Sequence, residues 1–379
     1  MTGRVAVIPS LMPVHFNSDK VMDFSEFFDL ARLWGETSIP VVEMSSIKAV
    51  DYNKTGSHDD QLSCWSVMEA TAGHANLAAG SLDVHDVWVN HWPLPPMKRV
   101  GGFDLAMEEL KLFDHDWWSR SEWINKVRSE LIPQDHGYKG TPDKKKSIKH
   151  GFDPLGTNPP EDQFMCFDNT LFMGAISFQP AIVDALEEPL LPGEEDGWRR
   201  VGQHIHFNEA IDRLADEYLT EIFDVTSASK IPPFIGVHLR RGDFKDFGGY
   251  TSLEKYVAGV NRARTELENR LQNPHSWRGP GKKNFRNHGV PALKYQVLAT
   301  TDESSDSAFV AEVQALGWKT LDHARLGTEK RFGGWYPTIL DQAILAKGSA
   351  FVGTDRSTFS HLAGLRVKYW QGGPVEIAY

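Results

Sequence analysis

The sequence predicts an α/β protein with parallel sheets, organised as two domains, and three observations carry that expectation. Its second half alternates short apolar runs with amphipathic stretches, the pattern of strands and helices that builds a parallel sheet covered on both faces. Near the start, Val5-Ala6-Val7-Ile8-Pro9 is apolar almost throughout, as a strand buried on both faces reads. Between 179 and 202 the composition turns to proline, glycine and the acidic run Glu194-Glu195-Asp196, which places a boundary between domains at 1–200 and 201–379. A chain of 379 residues is long enough for both.

The elements follow in order. Residues 5–11 read as a parallel strand, and 24–33 as a helix with Phe24, Phe27, Phe28 and Leu33 on one face. A short strand is expected at 87–92, helices at 105–113 and 117–127, a surface loop at 135–160 around Lys144-Lys145-Lys146, and a strand at 165–173. Past the boundary, 208–223 is an amphipathic helix with Ile211, Leu214, Ala215, Tyr218, Leu219 and Ile222 on one side, stopped by Pro232-Pro233. Then come a strand at 234–240, a helix at 252–271, a basic loop at 273–289, a strand at 294–300 and a helix at 305–316. A short strand at 318–321, a helix at 338–346, a strand at 350–353 and a helix from 357 complete the chain. Sheets of this kind bind their ligands beyond the carboxyl ends of the strands.

Composition narrows the classes of function. A formal net charge of -11 argues against nucleic acid, which needs a surplus of Lys and Arg. No apolar run approaches the roughly 20 residues that cross a bilayer. The opening run is too short for a secretory signal and has no cleavage site. Cys64 and Cys166 are the only cysteines, so the chain is not a disulfide scaffold; one bridge and two buried thiols both fit. Asn53-Lys54-Thr55 matches a glycosylation acceptor, with meaning only in the secretory pathway.

The chemistry-bearing residues gather at three strand ends. In Ile235-Gly236-Val237-His238-Leu239-Arg240, alternation puts His238 and Arg240 on one face, and Arg241-Gly242-Asp243 makes the turn that follows. Guanidinium is planar, always charged and grips two oxygens at once, which suits a diphosphate. On that reading the Arg240 guanidinium is free and turned toward the helix that opens near Ser357; the competing reading pairs these arginines with nearby carboxylates, Asp243 first among them. In Phe351-Val352-Gly353-Thr354-Asp355-Arg356-Ser357-Thr358-Phe359-Ser360 a strand turns into a hydroxyl-rich helix start. Its free N–H groups and positive partial charge make either an anion site or an ordinary capped terminus. Asp302, in Thr300-Thr301-Asp302-Glu303, reads as a sugar or base contact or as a helix cap. Asp341, a carboxylate on an otherwise apolar helix, reads as a guanine acceptor or as a satisfied structural charge.

Together these residues resemble the GDP-fucose fucosyltransferase superfamily, in particular the fungal protein O-fucosyltransferase-like proteins. His238-Leu239-Arg240-Arg241-Gly242-Asp243 is similar to its first motif and Ala299-Thr300-Thr301-Asp302-Glu303 to its second. Asp341-Gln342-Ala343-Ile344-Leu345 through Phe351-Val352-Gly353-Thr354 and Ser357-Thr358-Phe359 is similar to its third. The resemblance implies a GT-B architecture, two Rossmann-like domains with the nucleotide sugar in the cleft between their sheets. It implies inversion at the fucose anomeric carbon, with GDP-fucose as donor substrate, a hydroxyl-bearing protein or glycan as acceptor, and no metal or other cofactor. By the same resemblance Arg240 is catalytic, contacting the diphosphate and the glycosidic oxygen. Ser357, Thr358 and Phe359 hold the β-phosphate, His238 and Asp341 seat the guanosine, and Arg241, Asp243 and Asp302 complete the donor site. The lumen of the ER or Golgi is the compartment the resemblance suggests. The family opens with a strand, a loop and a helix before the strand matching 5–11, whereas this sequence begins just before that second strand, so the sheet there is expected to have one open position.

Two rival readings remain. Asp114-His115-Asp116 carries the Asp-x-Asp pattern by which metal-dependent GT-A transferases hold a divalent cation, although no apolar strand precedes it. The other rival is a catalytically dead relative that keeps the nucleotide cleft.

Overall fold

The structure, a computed structural model, describes residues 5–8, 11, 22–47, 61–65, 99–100, 103–106, 166–167 and 197–379, except 248, 276, 304 and 305. The expected strand at 87–92, helix at 117–127 and loop at 135–160 lie outside these residues, as do Asn53, Asp114 and Asp116. Two compact units divide the chain. One takes Met1–Val14, Val21–Phe24 and Leu33–Arg200, the other His15–Lys20, Ser25–Arg32 and Val201–Tyr379. The α/β class with parallel sheets is the one observed.

In the first unit, β1 (Ala6–Ile8) runs parallel to β2 (Val41–Glu43), with Ala6 opposite Val41. The strand expected at 5–11 is thus three residues long. Val5 is exposed and Leu11 instead bridges Met22 in antiparallel fashion. Among the described residues β1 has β2 as its one neighbour, which leaves its apolar side chains less covered than those of a central strand. Helices α1 (Leu30–Thr37) and α2 (Met44–Ile47) flank β2 in sequence. Strands β3 (Gln61–Trp65), β4 (Arg99–Val100), β5 (Phe103–Ala106) and β6 (Cys166–Phe167) form a sheet in the order β4-β5-β3-β6. Leu105 and Ala106, expected to open a helix, belong to β5, because Phe103-Asp104-Leu105 also satisfies a strand's period of two and finds β3 as partner. Cys64 and Cys166 are register partners across β3 and β6. The unit ends at α3 (Gly197–Arg200).

The expected helix at 24–33 is broken. Phe24–Glu26 makes one 3-10 turn, Phe28 bridges Phe207, and α1 starts only at Leu30 with Asp29 Oδ1 accepting from Arg32 N at 2.9 Å. The apolar side chains are buried as expected but by separate partners: Phe27 is fully buried against Trp335 and Tyr336, while Phe28 stacks on Phe207.

The second unit opens with α4 (Glu209–Ile222), capped by Asn208, whose Oδ1 accepts from Ile211 N at 3.0 Å. A five-stranded parallel sheet follows in the order β11-β10-β7-β8-β9, made of β7 (Phe234–Leu239), β8 (Gln296–Thr301), β9 (Lys319–Thr320), β10 (Ala350–Thr354) and β11 (Val375–Ala378). The helices are α5 (Leu253–Gln272), α6 (Ser307–Ala315), α7 (His323–Leu326), α8 (Thr328–Phe332), α9 (Tyr336–Leu345) and α10 (Thr358–Arg366). One sheet face, with Ile235, Val237, Leu239, Val297, Ala299 and Val352, packs on Tyr256, Val260, Ala263 and Leu267 of α5 and on Phe309 and Val313 of α6. On the other face Phe351 packs against Leu345 of α9 and Ala363 of α10. The chain builds outward from β7 through β8 to β9, then returns to the far side of β7 to add β10 and β11. That reversal opens a crevice at the carboxyl ends of β7 and β10, where sheets wound in this way take their ligands.

Among the described residues no helix is long and apolar enough to cross a membrane.

Candidate active site

The two strands that border the crevice are locked together by one hydroxyl. Thr354, the last residue of β10, donates to the His238 carbonyl at 2.9 Å. The same oxygen accepts from Arg240 N at 2.9 Å and pairs with the Tyr256 hydroxyl at 2.7 Å. Burial pushes the Tyr256 phenol above its ordinary range, so it is a donor at physiological pH. A threonine hydroxyl has one proton and two lone pairs, and all three are used here.

His238 is buried at the end of β7, with Nδ1 2.7 Å from Ser360 Oγ and its ring 4.4 Å from that of Phe359. Ser360 Oγ also accepts from Thr354 N at 3.0 Å. Burial, and then the neighbouring Arg240 charge, lower the His238 pKa to about 3. The imidazole is therefore neutral at physiological pH and offers hydrogen bonds rather than charge. Acid stability should show this. The unfolded chain binds a proton here as pH falls through about 6.5, the folded chain only near 3. This stability contribution is complete above about 6.5 and is lost as pH falls toward 3. Protonation should cost the folded state roughly 4 kcal/mol over that window. Urea unfolding of wild type and His238→Gln from pH 7 to pH 4 checks it: the two curves should converge as pH falls, and a constant gap would contradict the assignment.

Helix α10 begins at the same place. Ser357 is its N-cap, with Oγ accepting from Ser360 N at 3.2 Å. The amides of Thr358 and Phe359 head the helix with no carbonyl one turn back, and Thr358 is exposed. Arg356, just before the cap, holds φ at 60°, a left-handed conformation uncommon outside glycine. Gly353 lets the helix come this close, since a Cβ there would lie 2.8 Å from Ser360 Cβ. Behind the first turn, Gln342 Nε2 donates to the Phe359 carbonyl at 2.8 Å, and the Gln342 carbonyl oxygen accepts from buried Arg366. Burial lowers the Arg366 pKa to about 10, which leaves the guanidinium charged at neutral pH.

Arg240 corrects an expectation. Its guanidinium was to be free and turned toward the start of α10. Instead NH1 donates to Asp302 Oδ2 at 2.6 Å, and the pairing carboxylate is Asp302 rather than Asp243. The register explains it: Leu239 stands opposite Thr301, so the next residue on each strand, Arg240 and Asp302, meet past the sheet's edge. Asp302 Oδ1 accepts from Arg241 N at 2.8 Å, and a Cβ on Gly242, whose φ is +28°, would lie 2.6 Å from Asp302 Oδ2. Only a glycine leaves that seat open to the carboxylate.

Arg241 takes the other sheet face. Its guanidinium lies over the rings of Tyr250 and Phe309, at 4.1 and 3.8 Å, with Glu303 and Asp306 each at 3.3 Å. It clamps β7 to the start of α6. Asp243 is in the turn Gly242–Phe247, and its side chain lies outside the described residues. Asp341, on α9, accepts from His323 Nε2 through Oδ1 at 3.0 Å. The structure thus gathers His238, Arg240, Ser357, Thr358 and Phe359 at the carboxyl ends of β7 and β10, with Asp302 beside them just past the end of β8. Arg241 is turned away, and Asp341 is bonded to His323. Sequence reasoning took Thr354 and Ser360 only as members of the hydroxyl-rich strand-to-helix turn, and passed over Tyr256 and His323. The signal for Thr354 and Ser360 was their place at the strand end and in the first helical turn; Tyr256 and His323 gave none.

The model of the GDP-fucose protein O-fucosyltransferase family matches residues 1–369. No curated protein matches the chain significantly. Among solved structures, POFUT1 in complex with GDP is 13% identical with a TM-score of 0.43, over 100% of this chain and 90% of that one. POFUT1 in complex with GDP-fucose is 14% identical with a TM-score of 0.41, over 100% and 90%. NodZ alpha-1,6-fucosyltransferase co-crystallised with GDP is 16% identical with a TM-score of 0.30, over 71% and 72%. On the family match, which takes in all three strand ends and the helix start described above, this chain belongs to the GDP-fucose protein O-fucosyltransferase family and is a glycosyltransferase of the fucosyltransferase type.

Proposed function

We propose that the protein transfers fucose from GDP-fucose to a hydroxyl of a protein or glycan, with inversion at the anomeric carbon and without a metal. One observation carries the reading: Arg240 and the first turn of α10 lie at the carboxyl ends of β7 and β10, which Thr354 locks together. Cleavage of the bond to fucose builds negative charge on the departing diphosphate. Fixed donors aimed at that charge lower the barrier without having to reorganise. The amides of Thr358 and Phe359, the hydroxyls of Ser357 and Thr358, and the Arg240 guanidinium are such donors. Neutral His238 and the Asp341 carboxylate are assigned to the guanosine. The GT-B arrangement of the family, with the acceptor bound from the first domain, completes the reading.

Turnover tests it with water as the acceptor. Incubated with GDP-fucose and a chelator, the protein should release GDP, and the fucose first formed should have the anomeric configuration opposite to the donor's by NMR. Retention, or release that needs an added divalent cation, would contradict the proposal.

A further inference from the structure

We infer that Tyr218, Thr328 and His323 form a positioning chain that aims Asp341 at the base of the donor nucleotide and sets a preference for guanine; this rests on the GDP-fucose reading above. Asp341 sits on α9 among Ile339, Leu340, Ala343, Ile344 and Leu345, all buried. A carboxylate in such surroundings needs donors. It receives one from His323 Nε2 at 3.0 Å. A carboxylate only accepts, so the ring proton is on Nε2. His323 Nδ1 lies 2.9 Å from the hydroxyl of Thr328, which lies 2.7 Å from the Tyr218 hydroxyl. One order of donation satisfies every group: Tyr218 to Thr328, Thr328 to His323, His323 to Asp341. The chain is buried at its inner end, with Thr328 at 0% and Tyr218 at 2% exposure, His323 is half-buried, and the chain is fixed from α4, α7, α8 and α9.

The far end of the chain is what points to a ligand. A carboxylate offers about four lone-pair directions, and His323 takes one. Asp341 has no other hydrogen-bond partner among the described residues, and its side chain is 13% exposed. Gln342, the next residue, is the one that bonds Phe359 in the first turn of α10. The carboxylate is thus one residue along α9 from the contact that joins α9 to the proposed phosphate seat. Guanine is the common base that presents two neighbouring donors, N1–H and the 2-amino group, on one edge. Uracil presents a single N–H there, and adenine and cytosine a single amino group beside an acceptor. An aimed carboxylate with both oxygens available selects the first pattern.

The experiment is calorimetric titration of the full chain with GDP and with inosine 5′-diphosphate, which lacks the 2-amino group. Wild type should prefer GDP by about tenfold. Thr328→Val, which keeps shape but withdraws the donor to His323, should lower that preference about fivefold while inosine diphosphate binds within about twofold of wild type. Should Thr328→Val not fold, Tyr218→Phe reads the same ratio from the end of the chain. Equal loss of both nucleotides in the variants would show a merely structural network and overturn the inference. Wild-type binding of the two nucleotides with equal affinity would overturn it too, yet leave the donor reading standing. Wild type that binds neither would overturn both.

Discussion

Arg240→Ala should cut transfer sharply while the protein stays folded. Arg240 pairs with Asp302 through side chains that are 27% and 22% exposed, so losing the pair costs the fold little, under about 1 kcal/mol. Asp302 keeps its bond from Arg241 N. Losing a charge-assisted contact to the diphosphate should weaken GDP binding by about 1.5 to 3 kcal/mol, roughly ten- to a hundredfold. The fall in turnover should be larger, on the order of a hundred- to a thousandfold, because charge concentrates on the leaving group in the transition state. Arg240→Lys should recover only part of the activity, since an ammonium cannot grip two oxygens in one plane and also bond Asp302. GDP release and GDP affinity, measured on variants with wild-type thermal midpoints, check both statements. Unchanged turnover in Arg240→Ala would remove this residue from the site.

Thr354→Val should destabilise the second unit by roughly 3 kcal/mol and disable the site as well. Valine fills the same space, so no cavity forms. It strips a partner from the Tyr256 hydroxyl, the Arg240 amide and the His238 carbonyl together. Tyr256 is 2% exposed and His238 3%, so water does not readily replace what is lost. Thr354→Ser, which keeps the hydroxyl, should restore most of the stability. Urea midpoints of the three proteins settle the question: if valine and serine behave alike, Thr354 matters for shape alone.

Much of the second unit was legible in the sequence because its signals are local. The buried run of β7, the N-cap Asn208 and the apolar face of α4 each announce their own element. The turn from β10 into α10 was legible for the same reason, as the strand, the turn and the hydroxyl-rich helix start are contiguous in the chain. Pairings across the sheet were not. Arg240 meets Asp302, 62 residues away, through the register of β7 with β8, and nothing near Arg240 in sequence specifies that register. Asp243, the closer carboxylate in sequence, looked the better partner for that reason. Tyr256 is a core residue of α5 by spacing, and its hydroxyl reaches Thr354 only once α5 has docked. The short helices α7 and α8, joined at Gly327 with φ at 62°, carry too few residues to show a period, so His323 and Thr328 passed unremarked. The broken helix at 24–33 is the converse: an apolar spacing was present, and partners distant in sequence, Phe207, Trp335 and Tyr336, divided it among separate contacts.

Calorimetric titration of the full chain with GDP-fucose, GDP-mannose, GDP and a UDP-sugar, in buffer containing a chelator, tests the central claim most directly. The account predicts that the guanosine nucleotides bind, that affinity is the same with and without the chelator, and that the UDP-sugar does not bind. No detectable binding of GDP or GDP-fucose at millimolar concentration, or binding that disappears when divalent cations are withdrawn, would contradict it.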